Sequence, residues 1–228
     1  MSWRIPLRPP GGAKAALAGV LLVLAAVLVP LLRGSPEERF WRWFAANEEQ
    51  LFDTVDGTEA LYDELQARLN RIDPDLTYLV GPIRNDRREF FVSADGKYRA
   101  IPAVQRVVAA APDLDRWEIV AFRPKLPHAA VTYHGVQVDP RDVVFTAGRE
   151  GGRIGISVFL PDAAAARRDA KTIAWLILDG ALGEYDLATK VGSVAVFGRS
   201  EAKGLSVLAA DELSWYIDWR LSVRLPGE

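Results

Sequence analysis

Hydrophobic and polar positions divide this chain into one long apolar run and a mixed remainder. The run covers residues 15–32 and contains no charge, and it follows a basic leader that carries Arg4, Arg8 and Lys14. A helix rises about 1.5 Å per residue, so a run of this length reaches roughly 27 Å, close to the hydrocarbon thickness of a bilayer. The pattern therefore predicts a single membrane-spanning helix. Representative residues of this anchor are Ala15, Leu21, Leu24, Leu28 and Leu32.

Two other interpretations of the run are a cleaved signal peptide and a buried helix of a soluble protein. A signal peptide has an apolar core of about 7–15 residues, followed by small residues at the cleavage site. Here the run is longer and ends in the bulky residues Val29, Pro30 and Leu31. A buried helix would be unusually apolar on every face. An uncleaved anchor is therefore the favoured interpretation.

The orientation of the anchor depends on the basic residues at its two ends. Three precede the run and three follow it closely, the latter being Arg33, Arg39 and Arg42. The terminal amine adds one more positive charge to the leader. The positive-inside rule then favours a cytoplasmic N-terminus with the remaining domain outside the membrane.

Apolar positions in the remainder recur at helical spacing in some segments and alternate in others. Helices are predicted over residues 36–52, 59–72, 98–110 and 162–182. Strands are predicted over residues 76–80, 89–94, 117–122, 131–133, 136–138, 143–146, 154–160 and 191–197. Residues 213–225 fit both patterns, and a helix through Leu221 is preferred. Short turns between the strands predict an α+β fold, with a mainly antiparallel sheet and helices packed on one side.

Composition separates a basic leader from an acidic domain. Residues 1–35 form the leader and anchor, and residues 36–228 form one predicted globular domain. The first segment holds four of the 28 basic residues and none of the 30 acids, so the domain carries 24 basic and 30 acidic residues, a net charge of −6. An acidic domain without a basic stripe argues against nucleic acid as a partner.

Residue types with strong chemistry are scarce. Cysteine is absent, which excludes disulfides, thiolate metal sites and cysteine nucleophiles. The two histidines, His128 and His134, do not complete a zinc site with any neighbouring ligand pattern. The glycine-rich segment 148–152 lies between two predicted strands and is typical of a hairpin turn rather than a phosphate loop. No cofactor or metal is therefore predicted.

The aromatic helix that begins near Pro36 has three possible roles. Trp41 and Trp43 could lie at headgroup depth as an interfacial belt. Asn47 and Glu48 could instead be polar contacts in an apolar groove that binds a ligand or partner. The third role is structural, with the aromatic face in the core and Asn47 bonded to neighbouring backbone, and it is the favoured one because buried polar groups are usually satisfied in this way.

A group of carboxylates surrounds the predicted end of the long helix. Asp179, Glu184 and Asp186 are close in sequence, and paired carboxylates can serve in acid–base chemistry or bind a hard cation. Their spacing matches no metal-binding loop. Acids beside turns are ordinarily solvated or hydrogen-bonded to backbone, so a structural role is favoured. Glu184 and Asp186 nonetheless remain candidate site residues.

Four segments together carry a resemblance to a protein family. They are FWRWFAANEEQLFD (40–53), FFVSADG (90–96), WEIVAFRP (117–124) and ALGEYDLATKVGSVAVF (181–197). The chain resembles an uncharacterised family of bacterial proteins that open with an F-W-x-W-F-x-x-N-E helix and close with a G-E-Y-D-x-x-T-K-V-G turn. The resemblance implies that residues 39–221 form one unit and that the anchor is an addition to it. It implies no activity.

The sequence thus predicts a membrane-anchored binding or interaction module without catalytic activity. Its predicted partners are the lipid bilayer, through residues 15–32, and an unidentified protein or small molecule. The alternative is a tethered hydrolase that uses Glu184 and Asp186, with or without a divalent metal ion.

Overall fold

Helices and strands alternate in the described part of the chain, and the predicted α+β fold is confirmed. The structure is a computed structural model that describes residues 34–53 and 59–223. The predicted anchor lies outside these residues. Within the two described ranges, every helix is too short or too polar to cross a bilayer.

The helices and strands have the following bounds. The helices are α1 (Pro36–Ala46), α2 (Glu48–Phe52), α3 (Glu59–Asn70), α4 (Ile101–Ala109), α5 (Asp162–Ala165), α6 (Ala170–Leu182), α7 (Glu184–Lys190) and α8 (Ala210–Ser222). The strands are β1 (Thr77–Val80), β2 (Arg88–Ser93), β3 (Trp117–Ala121), β4 (Val131–Tyr133), β5 (Val136–Val138), β6 (Val144–Glu150), β7 (Arg153–Leu160) and β8 (Val191–Gly198). Short 3₁₀ turns cover Tyr98–Ala100, Pro140–Asp142 and Arg199–Ala202.

The amino-terminal half, which ends at Phe122, is built around a cluster of aromatic side chains. Phe44 contacts Phe90 and Trp117 edge-to-face, with ring centroids 5.0 and 5.1 Å away. Trp41 is 2 % exposed, and its indole N–H donates to the carbonyl of Val107 at 2.7 Å. The aromatic face of α1 therefore lies in the core as predicted, and an interfacial role for Trp41 is wrong because its ring is enclosed by protein.

The carboxy-terminal half, from β4 onward, has a separate aliphatic core. Its sheet packs against α6 and α8 through fully buried side chains that include Phe145, Ile173 and Leu213. The segment at 213–225, ambiguous from sequence, is helical as far as Ser222. Its alternating pattern arises because the helix exposes Trp215 and Trp219 while Ile217 lies in the core.

The two halves repeat one arrangement of strands and helices. In each, an antiparallel hairpin is followed by helix and then by a strand parallel to the second hairpin strand, which gives the orders β1-β2-β3 and β6-β7-β8. β4 and β5 form a separate antiparallel pair. Antiparallel pairs therefore outnumber parallel ones, but the described residues form three small sheets rather than a single one. The parallel pairs were not predicted, because hydrophobic periodicity does not specify which strand pairs with which.

Three segments differ from the prediction: two predicted helices are interrupted, and one predicted turn is helical. The aromatic helix is interrupted at Asn47, whose backbone leaves helical geometry between α1 and α2. The long helix after Pro161 is likewise split into α5 and α6. The segment after Gly183, predicted to be a turn, is helix α7. Gly183 has a φ of 73° and redirects the chain, so a new helix with acids in its first turn begins directly after it.

Candidate functional site

Glu184 connects the two halves of the molecule. Its side chain is 1 % exposed, and Oε1 accepts hydrogen bonds from the Ser93 hydroxyl at 2.9 Å and from the backbone N–H groups of Ala94 and Gly96 at 2.7 and 3.1 Å. Oε2 accepts from the backbone N–H of Arg123 at 3.1 Å. We call this arrangement the Glu184 clamp. Its donors satisfy a buried carboxylate that would otherwise be costly to enclose.

Local backbone geometry presents these donors. Asp95 and Gly96 both have positive φ, at 52° and 70°, so the chain turns sharply after β2. Phe122 has a φ of 68°, which is rare for a bulky residue and marks backbone strain. Its N–H donates to the Val92 carbonyl at 2.8 Å, and the irregular backbone directs the next N–H toward Glu184.

Arg123 extends the clamp toward solvent. Its guanidinium contacts Asp179 through two hydrogen bonds of 2.9 and 3.2 Å, and Nη1 donates to the Ser93 hydroxyl at 2.7 Å. Burial disfavours the charged guanidinium, but the hydrogen bonds and charge of Asp179, with the charge of Glu184, outweigh burial and raise the pKa of Arg123. Arg123 therefore stays charged, and its charge is largely balanced by the two acids.

A cleft of about 490 Å³ opens beside the clamp, between the two halves. We call it the interhalf cleft. The amino-terminal half contributes the turn after β2, and the carboxy-terminal half contributes α6, α7 and the adjoining ends of β7 and β8. Its main side chains are Tyr98, Arg123, Arg153, Trp175, Leu176 and Asp179.

The cleft combines exposed apolar surface with one arginine that has no acidic partner in the described part of the chain. Trp175 and Leu176 are 38 % and 39 % exposed, unusual for large apolar residues in neighbouring positions. The guanidinium of Arg153 lies 5.4 Å from the ring centroid of Tyr98, and one of its N–H groups donates to the Val191 carbonyl at 3.3 Å. Among the described residues, no carboxylate oxygen lies within 4.0 Å of that guanidinium. The cleft can thus offer a positive charge and flat apolar walls to a ligand.

The two carboxylates singled out from sequence serve different contacts. Glu184 is enclosed in the clamp. Asp186 lies 2.7 Å from Lys125 Nζ and 2.9 Å from Lys190 Nζ. Burial disfavours its charge, but hydrogen bonds from both lysines outweigh burial and lower the pKa of Asp186. Neither carboxylate lines the interhalf cleft.

Asn47 and Glu48 lie away from the cleft, at the junction of α1 and α2. The Asn47 amide donates to the Trp43 carbonyl at 2.7 Å, the structural role favoured from sequence. Glu48 begins α2 and is half-buried. In the described ranges, no three histidine, aspartate or glutamate side chains are grouped to hold a metal ion. His128 is exposed, and His134 lies 3.4 Å from Asp169.

Sequence patterns alone did not single out Arg153, Trp175 or Tyr98. A signal for the clamp was nevertheless present in the motif segments. FFVSADG supplies the Ser93 turn, WEIVAFRP supplies Arg123 and the G-E-Y-D segment supplies Glu184. Three motifs far apart in sequence therefore meet at one buried carboxylate.

Comparison with protein-family models, curated proteins and solved structures finds no match for this chain.

Proposed function

We propose that this chain is a non-catalytic binding module, held at a membrane by a helix over residues 15–32, whose interhalf cleft binds an anionic ligand with a flat apolar body. The anchor is oriented with its N-terminus in the cytoplasm and the binding domain on the other side. The observation that carries the ligand assignment is the juxtaposition in one cleft of exposed Trp175 and of Arg153, which has no carboxylate oxygen of the described residues within 4.0 Å.

The chemistry of the cleft supports a small ligand rather than a large interface. Its volume lies within the range of small-molecule sites, about 300–1,000 Å³. Trp175 and Tyr98 offer aromatic faces, and the Arg153 guanidinium can donate to a carboxylate or phosphate. Arg123 is already engaged by Asp179, and Asp95, the other acid of the lining, lies 3.7 Å from Lys97 Nζ. The Arg153 guanidinium is therefore the charged group of the cleft that is available to an anion.

The alternative, a hydrolase that uses Glu184 and Asp186, has less support. A general acid or base must reach the reacting group. Glu184 is enclosed and accepts four hydrogen bonds, while Asp186 is held between two lysines. Both carboxylates are explained by structural roles, which favours binding without catalysis.

Ligand binding can be tested on the full chain in a neutral detergent by saturation-transfer NMR. Phenyl phosphate and phenylacetate serve as anionic aromatic probes, and phenethylamine serves as a cation of similar shape. We expect both anions to bind, and we expect Trp175→Ala or Arg153→Gln to weaken binding at least fivefold. Preference for the amine, or unchanged binding in both variants, would refute the cleft as an anion site.

Matched controls separate the cleft from general surface effects. Trp215→Ala removes an indole that is 68 % exposed on α8, and Arg168→Gln removes an exposed charge outside the cleft. Both controls should bind the probes like the parent. The tether is tested separately by fractionating cells without detergent: recovery of the full chain in the high-speed supernatant would refute it.

A further inference from the structure

A second, smaller pocket lies where the first turn of α1 meets the last turn of α3. Its volume is about 220 Å³, roughly that of seven water molecules. Arginine side chains dominate its walls, together with apolar side chains from α1 and from the turn that follows α3. The lining residues are Pro36, Arg39, Phe40, Arg68, Arg71 and Ile72. We call it the arginine pocket.

Positive charge exceeds negative charge at this pocket. Arg68 stacks over the Trp43 ring at 4.7 Å, and its Nε lies 2.8 Å from Glu64 Oε1. The same oxygen lies 4.0 Å from Arg71 Nη1. Arg39 donates to the Gly34 carbonyl at 2.8 Å, and no carboxylate oxygen of the described residues lies within 4.0 Å of its guanidinium. Among the described residues, one glutamate thus lies within 4.0 Å of one or more of these three arginines.

The pocket is also close in sequence to the predicted anchor. Leu32 ends the apolar run and Pro36 begins α1, four residues later. Four extended residues span at most about 14 Å. The headgroup layer on each side of a bilayer is about 5–8 Å thick. A chain tethered in this way can therefore place the arginine pocket within the headgroup layer.

Guanidinium groups bind phosphate through paired hydrogen bonds, and basic residues beside a membrane helix favour anionic lipids. We infer that the arginine pocket binds the phosphate of an anionic phospholipid, with Phe40 and Ile72 beside its glycerol or acyl portion. This inference rests on the tether in the proposed function. Such a contact would fix the orientation of the domain, and with it the interhalf cleft, relative to the membrane surface.

The test is native mass spectrometry of the full chain in a zwitterionic detergent, with equal amounts of phosphatidylglycerol and phosphatidylcholine. The informative variant is Arg39→Gln/Arg71→Gln, because both side chains are exposed and the Trp43–Arg68 contact is retained. Each lost arginine should weaken phosphatidylglycerol binding about fivefold, so the double variant should bind about 25-fold more weakly. Thermal unfolding of the variant confirms that it is folded.

The matched control is Arg84→Gln/Arg168→Gln, which removes two exposed charges that do not line the pocket. It should retain phosphatidylglycerol like the parent. Equal retention of the two lipids by the parent, or an equal loss in the control, would overturn the inference. Full displacement of phosphatidylglycerol by low-millimolar inorganic phosphate would assign the pocket to free phosphate instead and overturn the lipid assignment. A chain that stays in membranes but shows no lipid preference refutes only the pocket, whereas a chain that leaves membranes without detergent refutes the tether.

Discussion

Replacing Glu184 by glutamine tests the clamp with almost no change in shape. The carboxylate accepts four hydrogen bonds, three at Oε1 and one at Oε2. Glutamine has one accepting oxygen and one NH₂ group. The least costly orientation places the amide oxygen in the Oε1 position, which retains three bonds and directs the NH₂ at the Arg123 N–H.

The magnitude follows from these contacts. Hydrogen bonds to a charged group contribute about 1.5–3 kcal/mol and neutral ones about 0.5–1.5, so the three retained bonds together lose about 3 kcal/mol. The unsatisfied Arg123 N–H costs about 1–3 kcal/mol more. Burying a neutral amide instead of a charge recovers part of this loss. We therefore expect the free energy of unfolding to fall by about 2–4 kcal/mol.

Thermal unfolding of the full chain in mild detergent, followed by circular dichroism, measures the effect. For a domain of this size, a loss of about 3 kcal/mol lowers Tm by roughly 6–12 °C. The control is Glu118→Gln, an exposed acid on β3, which should change stability by less than about 0.5 kcal/mol. A Glu184→Gln variant within about 1 kcal/mol of the parent would refute the clamp as a stabilising contact.

Three further predictions follow from single residues. Gly183→Ala should lower the free energy of unfolding by at least about 1 kcal/mol, because φ is 73° and the new Cβ would lie 3.3 Å from the Arg123 carbonyl oxygen. Denaturant unfolding measures this change, and an unchanged stability would contradict the observed turn. The pKa of Asp186 is lower in the folded protein than its unfolded value near 3.8. The contribution of its charge to stability is therefore complete above pH 3.8 and is lost as pH falls through the folded pKa. The difference in unfolding free energy between the parent and Asp186→Asn should be full at pH 6 and shrink below about pH 4. A difference that widens as pH falls would contradict the lowered pKa of Asp186. Asn47→Ala should lower the free energy of unfolding by about 0.5–1.5 kcal/mol, because the hydrogen bond to the Trp43 carbonyl is lost. Probe binding at the interhalf cleft should stay unchanged, and weakened binding would instead indicate a recognition role for Asn47.

Local signals in the sequence predicted most secondary structure. The start of α1 is an example: Ser35 and Glu38 have the Ser-x-x-Glu spacing typical of a capping box, and they form one with reciprocal bonds of 2.8 and 3.0 Å. The β4–β5 hairpin has the predicted bounds because a His-Gly pair with positive φ forms its turn. Both features depend on residues within a few positions of one another.

Features that depend on distant residues were not predicted. Parallel pairing of β3 with β2 and of β8 with β7 depends on tertiary packing. The periodicity of hydrophobic residues within a strand does not indicate which strand lies beside it. The interhalf cleft joins Tyr98, Arg153 and Trp175, which no local pattern connects. Glu184 was identified as a candidate, but its burial was unexpected because acids near turns are usually solvated. The partners that enclose it are about 60–90 residues away in sequence.

The binding claim is tested most directly by the indole N–H signals of the protein. The chain has seven tryptophans, and ¹⁵N labelling gives each one an indole resonance, with Trp175 assigned through a Trp175→Phe variant. Titration of phenyl phosphate into the full chain should shift the Trp175 signal in a saturable manner and leave that of Trp215 unchanged. A Trp175 signal that stays in place at millimolar phenyl phosphate, or a shift at Trp215 alone, would contradict ligand binding in the interhalf cleft.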